Sequence, residues 1–210
     1  MNARLALIDY GAGNLSSVGK GLEAAGAAVV VATTPEQLDQ CDGVVIPGVG
    51  NFRAASALDS EWREAIMRAI ADRTTVLGIC LGMQFLFDGS DEAPHVPGLG
   101  LFEGRCTRIL AQRPLKVPHV GWNELTSVQV TSLLEDVNEG SHVYFSHSYA
   151  APVTGGCAAI SVHGEAFAAA VEREHVCGVQ FHPEKSGETG LQVLRNFVRM
   201  TRALTCSRNG

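Results

Sequence analysis

Apolar and polar positions change their spacing repeatedly along the first half of the chain. Short apolar runs, typical of buried strands, cover 4–11, 27–33, 42–48 and 74–79. Segments between them predict helices over 14–26, 35–40 and 60–72, the first with Asn14 or Ser16 as its N-cap. Strands that alternate with helices pair in parallel and are covered on both faces. We therefore predict an α/β fold with a mostly parallel central sheet flanked by helices.

The pattern changes in the second half, where the extended segments become shorter and turns separate them. These segments cover 100–110, 116–125, 142–150, 157–164, 166–175 and 176–184. Such a series predicts an additional mixed or antiparallel portion of sheet. An amphipathic segment over 190–204 predicts a closing helix with Leu191, Leu194 and Val198 on one side. No linker, repeat or low-complexity stretch interrupts the sequence, so a single domain over 1–210 is the simplest organisation.

The composition narrows the class of protein. Of the 210 residues, 46% are apolar and 18% are charged, which is typical of a globular chain with a sizeable core. The net charge of -6 argues against a nucleic-acid partner and against docking on an anionic membrane. The N-terminal sequence lacks a secretory pattern, and no apolar stretch approaches a membrane span in length. The six cysteines are scattered, so we expect a cytoplasmic protein with reduced thiols and neither a zinc nor a disulfide framework.

Gly78 and Gly82 flank Cys80 two residues on either side. A strand-like run over 75–79 precedes Cys80, and an apolar run suited to a buried helix follows over 83–87. This arrangement is typical of a nucleophile elbow, a turn so sharp that only small neighbours fit beside the nucleophile. A helix that begins after Cys80 would favour its thiolate and leave the Leu81 N–H without an intrahelical partner. A buried core cysteine explains the stretch equally well.

A histidine and a carboxylate follow a late apolar strand. His182 and Glu184 are separated by Pro183, which restricts the local backbone. A carboxylate in this position can bind one imidazole nitrogen and leave the other for a nucleophile. The long separation from Cys80 is no obstacle, because triads assemble in space. Alone, the motif is better interpreted as a surface turn; together with an elbow, it favours a triad.

A third stretch, residues 44–52, runs from a strand into a Pro-Gly-Val-Gly turn. An acyl-transfer site needs two N–H donors for its developing oxyanion. The Leu81 N–H could provide one and the turn formed by Gly48, Val49 and Gly50 the other. An ordinary strand-to-helix loop is the simpler interpretation of this turn taken alone.

Two other kinds of site find no support. The glycines of residues 11–14 lack a complete dinucleotide fingerprint, because Ser16 occupies the third glycine position. The histidines show no zinc-ligand spacing, and His119, His142, His147 and His163 are interpreted as polar fillers near strand ends. We therefore expect chemistry that needs no cofactor and no metal.

Three segments together resemble the class I, or triad-type, glutamine amidotransferase family: GICLGMQ, VIPGVGNF and FHPEKSG. Other segments resemble one branch of it, the glutaminase subunits of imidazole glycerol phosphate synthases. These segments are IDYGAGN, PHVGWNEL, YFSHSYA and FHPEKSGETGLQVLRNF. The resemblance runs from residue 5 to about residue 200. It implies the family's α/β fold and the hydrolysis of glutamine to glutamate and ammonia.

The resemblance also implies roles for individual residues. Cys80 matches the nucleophile that forms a glutamyl thioester, His182 the general base and acid, and Glu184 the residue that orients the histidine. Gly48 to Gly50 match the oxyanion loop, which in this family is thought to reorient on activation. The residues that match the glutamine pocket are Gln84, Glu92, Ser148 and Tyr149. Trp122 and Lys185 match positions near the interface with another subunit.

The implied partner is a (β/α)8-barrel cyclase that receives ammonia through a tunnel, within histidine biosynthesis. Three alternatives stay open from the sequence. One is the glutaminase subunit of another synthase, such as the pyridoxal phosphate type. The others are a non-catalytic binding module of the same fold and a cysteine peptidase or γ-glutamyl hydrolase.

Overall fold

The computed structural model describes residues 2–110 and 115–209, with side chains as far as residue 207. The helices in these ranges are α1 (Leu15–Ala24), α2 (Ser60–Ala71), α3 (Leu81–Phe85) and α4 (Gly187–Asn209), with 3₁₀ helices at Pro35–Gln40, Phe52–Ala57 and Pro183–Lys185. The first six strands are β1 (Arg4–Ile8), β2 (Ala28–Ala32), β3 (Gly43–Ile46), β4 (Thr75–Ile79), β5 (Gly89–Ser90) and β6 (Arg105–Arg108). The remaining strands are β7 (His119–Glu124), β8 (His142–His147), β9 (Tyr149–Ala150), β10 (Cys157–His163), β11 (Glu165–Arg173) and β12 (Val176–Val179).

The central sheet has the strand order β10-β11-β12-β4-β3-β1-β2. Pairing is parallel from β12 through β4, β3 and β1 to β2. It is antiparallel between β10 and β11 and between β11 and β12. Smaller pairings join β5, β6 and β9, and join β7 to β8. The predicted α/β fold with a mostly parallel sheet and an antiparallel portion is confirmed.

Two apolar clusters cover the two faces of this sheet. On one face, Leu22 of α1 and Phe197 of α4 pack with Leu77 of β4. On the other, Trp62 and Ile66 of α2 belong to the second cluster. Every residue of β3 and of β4 is buried, because both strands are covered on both faces. This double burial explains their continuous apolar sequences.

Three predicted elements have different bounds in the structure. The helix after Cys80 begins at Leu81, as predicted, but it ends at Phe85, two residues before the end of the apolar run over 83–87. It ends there because N–H groups of a later segment bind the backbone carbonyl groups at its C-terminus. The Leu99 N–H donates to the Phe85 carbonyl, and the Leu101 N–H to the Leu86 carbonyl. Within the predicted extended segment 100–110, only Arg105–Arg108 forms a strand.

The closing helix begins at Gly187, before the predicted start at 190, and ends at Asn209. Neither it nor any other helix in the described part of the chain is long and apolar enough to cross a membrane.

Three neighbouring parallel strands bring the chemistry-bearing segments to one edge of the sheet. Strand β4 lies between β3 and β12, and all three run in the same direction. Their carboxyl ends therefore meet, and open α/β sheets place ligands at this edge. Cys80 follows β4, the Pro-Gly-Val-Gly turn follows β3, and His182 follows β12.

Candidate active site

Cys80 occupies a strained turn between β4 and α3. Its φ is 54° and its ψ is -107°, in a region that residues with side chains rarely adopt. A β-carbon on Gly82 would lie 1.8 Å from the Ile46 carbonyl oxygen, and one on Gly78 would lie 2.5 Å from the Gly82 oxygen. Both glycines are therefore required by close backbone approach. Cys80 itself is 4% exposed. This geometry is that of a nucleophile elbow, and the close backbone approach explains why glycines flank Cys80.

His182 and Glu184 form a buried pair beside this turn. His182 Nδ1 lies 2.9 Å from Glu184 Oε1, and both side chains are only 2% exposed. When Nδ1 carries its proton toward the carboxylate, Nε2 is left for another partner. The turn at Cys80 is joined to the strand that precedes His182, because the Cys80 N–H donates to the Val179 carbonyl of β12 at 2.7 Å.

The pKa of His182 is raised to about 9 by its surroundings. Burial acts in the opposite direction and would lower this pKa. Hydrogen bonds to Cys80 and Glu184, together with the negative charges of these groups, outweigh the burial. His182, held between the Cys80 sulfur and the Glu184 carboxylate, is therefore favoured in its protonated form. Such a cysteine–histidine pair is suited to nucleophilic attack and to protonation of a leaving group.

A cavity of about 250 Å³ opens at Cys80. The predicted residues Leu81, Gln84, Glu92, Ser148, Tyr149 and Gly50 line it together with Cys80. Its size suits a small-molecule substrate. A larger cleft of about 630 Å³ lies at the opposite edge of the sheet, near Asp42 and Thr74, and contains none of the predicted site residues.

The Gly48-Val49-Gly50 turn approaches Cys80 from the end of β3. A β-carbon on Gly48 would lie 2.8 Å from the Leu81 β-carbon and 2.6 Å from the Tyr10 hydroxyl oxygen. Gly50 has a φ of 91° and lines the cavity. Val49 is 40% exposed and is not among the residues that line the cavity. Their predicted oxyanion role remains a prediction.

Gln84 and Glu92 line the same cavity as Cys80. Gln84 Nε2 donates to the Tyr149 carbonyl at 2.8 Å. Glu92 Oε2 accepts from the Phe52 N–H at 2.7 Å, which ties it to the segment after the glycine turn. The second carboxylate oxygen of Glu92 can then face a cationic group such as an α-ammonium.

Trp122 and Lys185 meet on the surface around Tyr144. The Trp122 and Tyr144 rings pack edge to face with centroids 6.2 Å apart, and Lys185 Nζ lies 5.6 Å from the Tyr144 ring centre. Trp122 is 56% exposed. The Tyr144 backbone connects this surface to the site, because its carbonyl accepts from the His182 N–H at 2.9 Å.

Several residues of the site were not predicted from the sequence. Pro118, Ser146 and His147 also line the cavity, and Gln180 is fully buried beside Cys80. Gln180 precedes the recognised His-Pro-Glu motif by two residues, which was the available signal. In the described ranges, no group of three or more His, Cys, Asp and Glu side chains is arranged to hold a metal ion.

Known proteins resemble this chain over most of its length. A family model for class I glutamine amidotransferases matches residues 6–201. The imidazole glycerol phosphate synthase subunit HisH of Gloeobacter violaceus is 48% identical, over 92% of this chain and 88% of that protein. HisH of Methanothermobacter thermautotrophicus is 45% identical, over 95% of this chain and 100% of that protein.

Solved structures show the same fold at lower identity. The structure of PurLQS from Thermotoga maritima has a TM-score of 0.74 at 19% identity, with 95% of this chain and 99% of that chain covered. The glutaminase domain of Trypanosoma brucei CTPS has a TM-score of 0.68 at 15% identity, with 96% and 94% covered. The predicted fold class and family resemblance are confirmed. Given its match over nearly its whole length, the chain belongs to the class I glutamine amidotransferase family, among the HisH subunits of imidazole glycerol phosphate synthase.

Proposed function

We propose that this protein hydrolyses glutamine to glutamate and ammonia and passes the ammonia to a (β/α)8-barrel cyclase. The cyclase uses it to form imidazole glycerol phosphate and AICAR in histidine biosynthesis. The chief supporting observation is the buried His182, paired with Glu184 and held beside Cys80 at the ends of adjacent strands. The HisH relatives, which are named as synthase subunits, support a partner. The same relatives argue against the pyridoxal phosphate type of glutaminase.

The first half of the reaction makes a thioester. In the reactive form the Cys80 proton lies on His182, and the thiolate sulfur attacks the carboxamide carbon of glutamine. The carbonyl electron pair moves to oxygen, where backbone N–H groups of Leu81 and the Gly48–Gly50 turn are suited to stabilise the charge. Protonated His182 then gives its proton to the leaving nitrogen. The carbon–nitrogen bond breaks, and ammonia leaves.

The second half restores the enzyme. A water molecule loses a proton to His182 and attacks the thioester carbon. The carbon–sulfur bond breaks, the proton returns to the Cys80 sulfur, and glutamate leaves. Glu184 keeps His182 oriented throughout, because its Oε1 binds the Nδ1 side of the ring. No step needs a cofactor.

In the pocket, we assign Glu92 to the α-ammonium group of glutamine, because a half-buried carboxylate favours a cation. Gln84, Ser148 and Tyr149 form the rest of the wall that holds the substrate backbone.

On the outer surface, Trp122 and Lys185 are assigned to the contact with the cyclase. Their shared neighbour Tyr144 is hydrogen-bonded to the backbone of His182, so contact there could be transmitted to the triad.

All six cysteines lie in the described ranges and are unpaired, which fits our proposal of a cytoplasmic location.

The test is a glutaminase assay of the chain alone, with the cyclase, and with the cyclase plus its nucleotide ligand. We expect slow hydrolysis by the chain alone and a strong increase in the complex, because an inactive loop would lack one oxyanion donor. The loss of one donor costs about 100- to 1000-fold in rate. Full activity of the isolated chain would exclude regulation by the cyclase and favour a stand-alone hydrolase. No glutaminase activity under any condition would refute the proposed function.

A further inference from the structure

Gln180 connects the nucleophile to the wall of the glutamine pocket. It lies directly after β12 and its side chain is fully buried. Its Nε2 lies 3.6 Å from Cys80 Sγ, and its Oε1 accepts from Gln84 Nε2 at 3.0 Å. Neither the sequence motifs nor the proposed reaction steps assign this residue a task.

The orientation of both amides follows from one backbone carbonyl. The Tyr149 carbonyl can only accept hydrogen bonds, so the end of Gln84 that contacts it must be the NH₂ group. The second hydrogen of this group then donates to Gln180, whose contacting end must be its oxygen. Gln180 therefore presents its own NH₂ group to the Cys80 sulfur. In this series of hydrogen bonds, the remaining polar atom of Gln84 is Oε1, which can accept from a substrate donor in the cavity.

The Tyr149 carbonyl is also bound by one buried histidine, His147, which is in turn bound by a second, His119. His147 Nδ1 lies 2.9 Å from this oxygen and must carry the proton, because a carbonyl cannot donate. His147 Nε2 is then the acceptor for His119 Nδ1, 3.1 Å away. His119 Nε2 in turn lies 3.4 Å from Asn123 Nδ2, a donor. One set of tautomers therefore satisfies every contact.

This set of tautomers requires both histidines to be neutral. Burial, together with the charge of His163, lowers the pKa of His119 to about 4. Burial is also the main cause that lowers the pKa of His147 to about 3. His119 is further enclosed by stacking on His163, with ring centres 4.0 Å apart. The chain of hydrogen bonds is thus intact at neutral pH.

We propose that Gln180 is a positioning residue for glutamine hydrolysis, which holds an N–H donor on the Cys80 sulfur and keeps Gln84 oriented for the substrate. His147 supports it by fixing the Tyr149 carbonyl from which the orientation starts. This inference rests on the proposed function. An N–H donor next to a thiolate stabilises the attacking form of the nucleophile, since hydrogen bonds to charged groups are the stronger ones.

Gln180→Met tests the role at the sulfur, because it keeps the length of the side chain and removes both hydrogen-bonding ends. Gln192→Met is the matched control, since Gln192 donates to Asn196 on α4 and lies outside the site. The first readout is the alkylation rate of Cys80 by iodoacetamide near neutral pH, followed by mass spectrometry of the Cys80 peptide. We expect about a tenfold decrease in Gln180→Met and no change in the control. A folded Gln180→Met variant with wild-type alkylation would overturn the proposal.

The second readout is glutamine hydrolysis in the complex with the cyclase. Gln180→Met should lower kcat and raise KM together, because the nucleophile and Gln84 both lose their orientation. Alkylation does not involve glutamine, so a wild-type complex without glutaminase activity would count against the proposed function alone. A normal kcat and KM in the variant would count against the role of Gln180.

If Gln180→Met does not fold, a pair of His147 variants tests the hydrogen bond to the Tyr149 carbonyl from which the amide orientations start. His147→Asn keeps an N–H donor near the position of Nδ1, whereas His147→Leu removes it. We expect His147→Leu to raise the KM for glutamine several-fold and His147→Asn to recover most of the loss. Equal KM values for the two variants would contradict the proposal.

Discussion

Gly82 lies so close to Ile46 that a β-carbon on Gly82 would come within 1.8 Å of the Ile46 carbonyl oxygen. The contact joins the first turn of α3 to the end of β3 and so sets the position of the elbow at Cys80. Backbone atoms on both sides cannot give way as a flexible side chain could. The sharpness of the turn is therefore a property of the packing as well as of Cys80 itself.

Gly82→Ala should lower the free energy of unfolding by about 3 kcal/mol or more, because overpacking against backbone forces the chain to move. Gly155→Ala is the matched control, since a β-carbon there has no atom within 4 Å and the φ is not left-handed. We expect the control to stay within about 0.5 kcal/mol of the wild type. Denaturant unfolding of both variants measures the difference. Equal stability of the two would contradict the close packing.

Gly50→Ala tests the conformation of the turn that is proposed to stabilise the oxyanion. Gly50 has a φ of 91° and open space at its β-position, so alanine would strain the backbone without a clash. Gly140→Ala is the matched control, with a φ of 82° and equally open space. Both should lose about 1 kcal/mol of stability. Only Gly50→Ala should lose partner-stimulated glutaminase activity, by about tenfold or more; unchanged activity would remove this turn from the mechanism.

His182→Ala should reduce kcat for glutamine hydrolysis by about a thousandfold, because general acid–base catalysis contributes on that scale. Glu184→Gln should cost less, about a hundredfold at most, since the base remains but loses its orienting charge. Glu188→Gln serves as control because Glu188 is exposed and pairs with Arg195 on the surface of α4. Steady-state assays of the complex provide the comparison. A Glu184→Gln variant as active as wild type would exclude Glu184 from the mechanism.

The raised pKa of His182 predicts a pH dependence of stability. The folded-state pKa of about 9 exceeds the ordinary value of 6.5, so the folded protein binds more protons between these values. This contribution to stability is complete below pH 6.5 and is lost as pH rises through 9. We expect the stability gap between wild type and His182→Asn to shrink over this window by up to about 3 kcal/mol.

Urea unfolding at several pH values measures this gap. His142→Asn is the control, because His142 is exposed and its ring contacts the Gly140 carbonyl. A gap that stays constant across the window, or that widens with pH, would contradict the buried pairing of His182 with Cys80 and Glu184.

Local sequence patterns predicted the elements that place the triad. The strand over 75–79 coincides with β4, and Asn14 is the N-cap of α1, where its side chain accepts from the Ser17 N–H. These features depend on neighbours in sequence. The start of α3 after Cys80 was predicted correctly, but its end at Phe85 was not. That end is determined by hydrogen bonds from Leu99 and Leu101, which no local pattern contains.

The same limit applies to the site. Cys80, His182 and Glu184 lie in recognisable motifs, and the structure brings them together. His119 and His147 were interpreted as polar fillers, because their roles depend on the Tyr149 carbonyl and on each other across 28 positions. Gln180 likewise contacts residues about a hundred positions away, Gln84 and Cys80. Buried polar networks of this kind become visible only when the fold is known.

Cys80→Ser in complex with the cyclase tests the central claim most directly. The substitution keeps the shape of the elbow, which the glycines and backbone contacts determine, and removes the thiolate nucleophile. We predict loss of glutamine-dependent synthesis of imidazole glycerol phosphate together with near-normal synthesis from added ammonium salt. Wild-type synthesis from glutamine in this variant, or loss of the ammonium-dependent reaction in a folded complex, would contradict the assignment of Cys80 as the nucleophile of a glutaminase subunit.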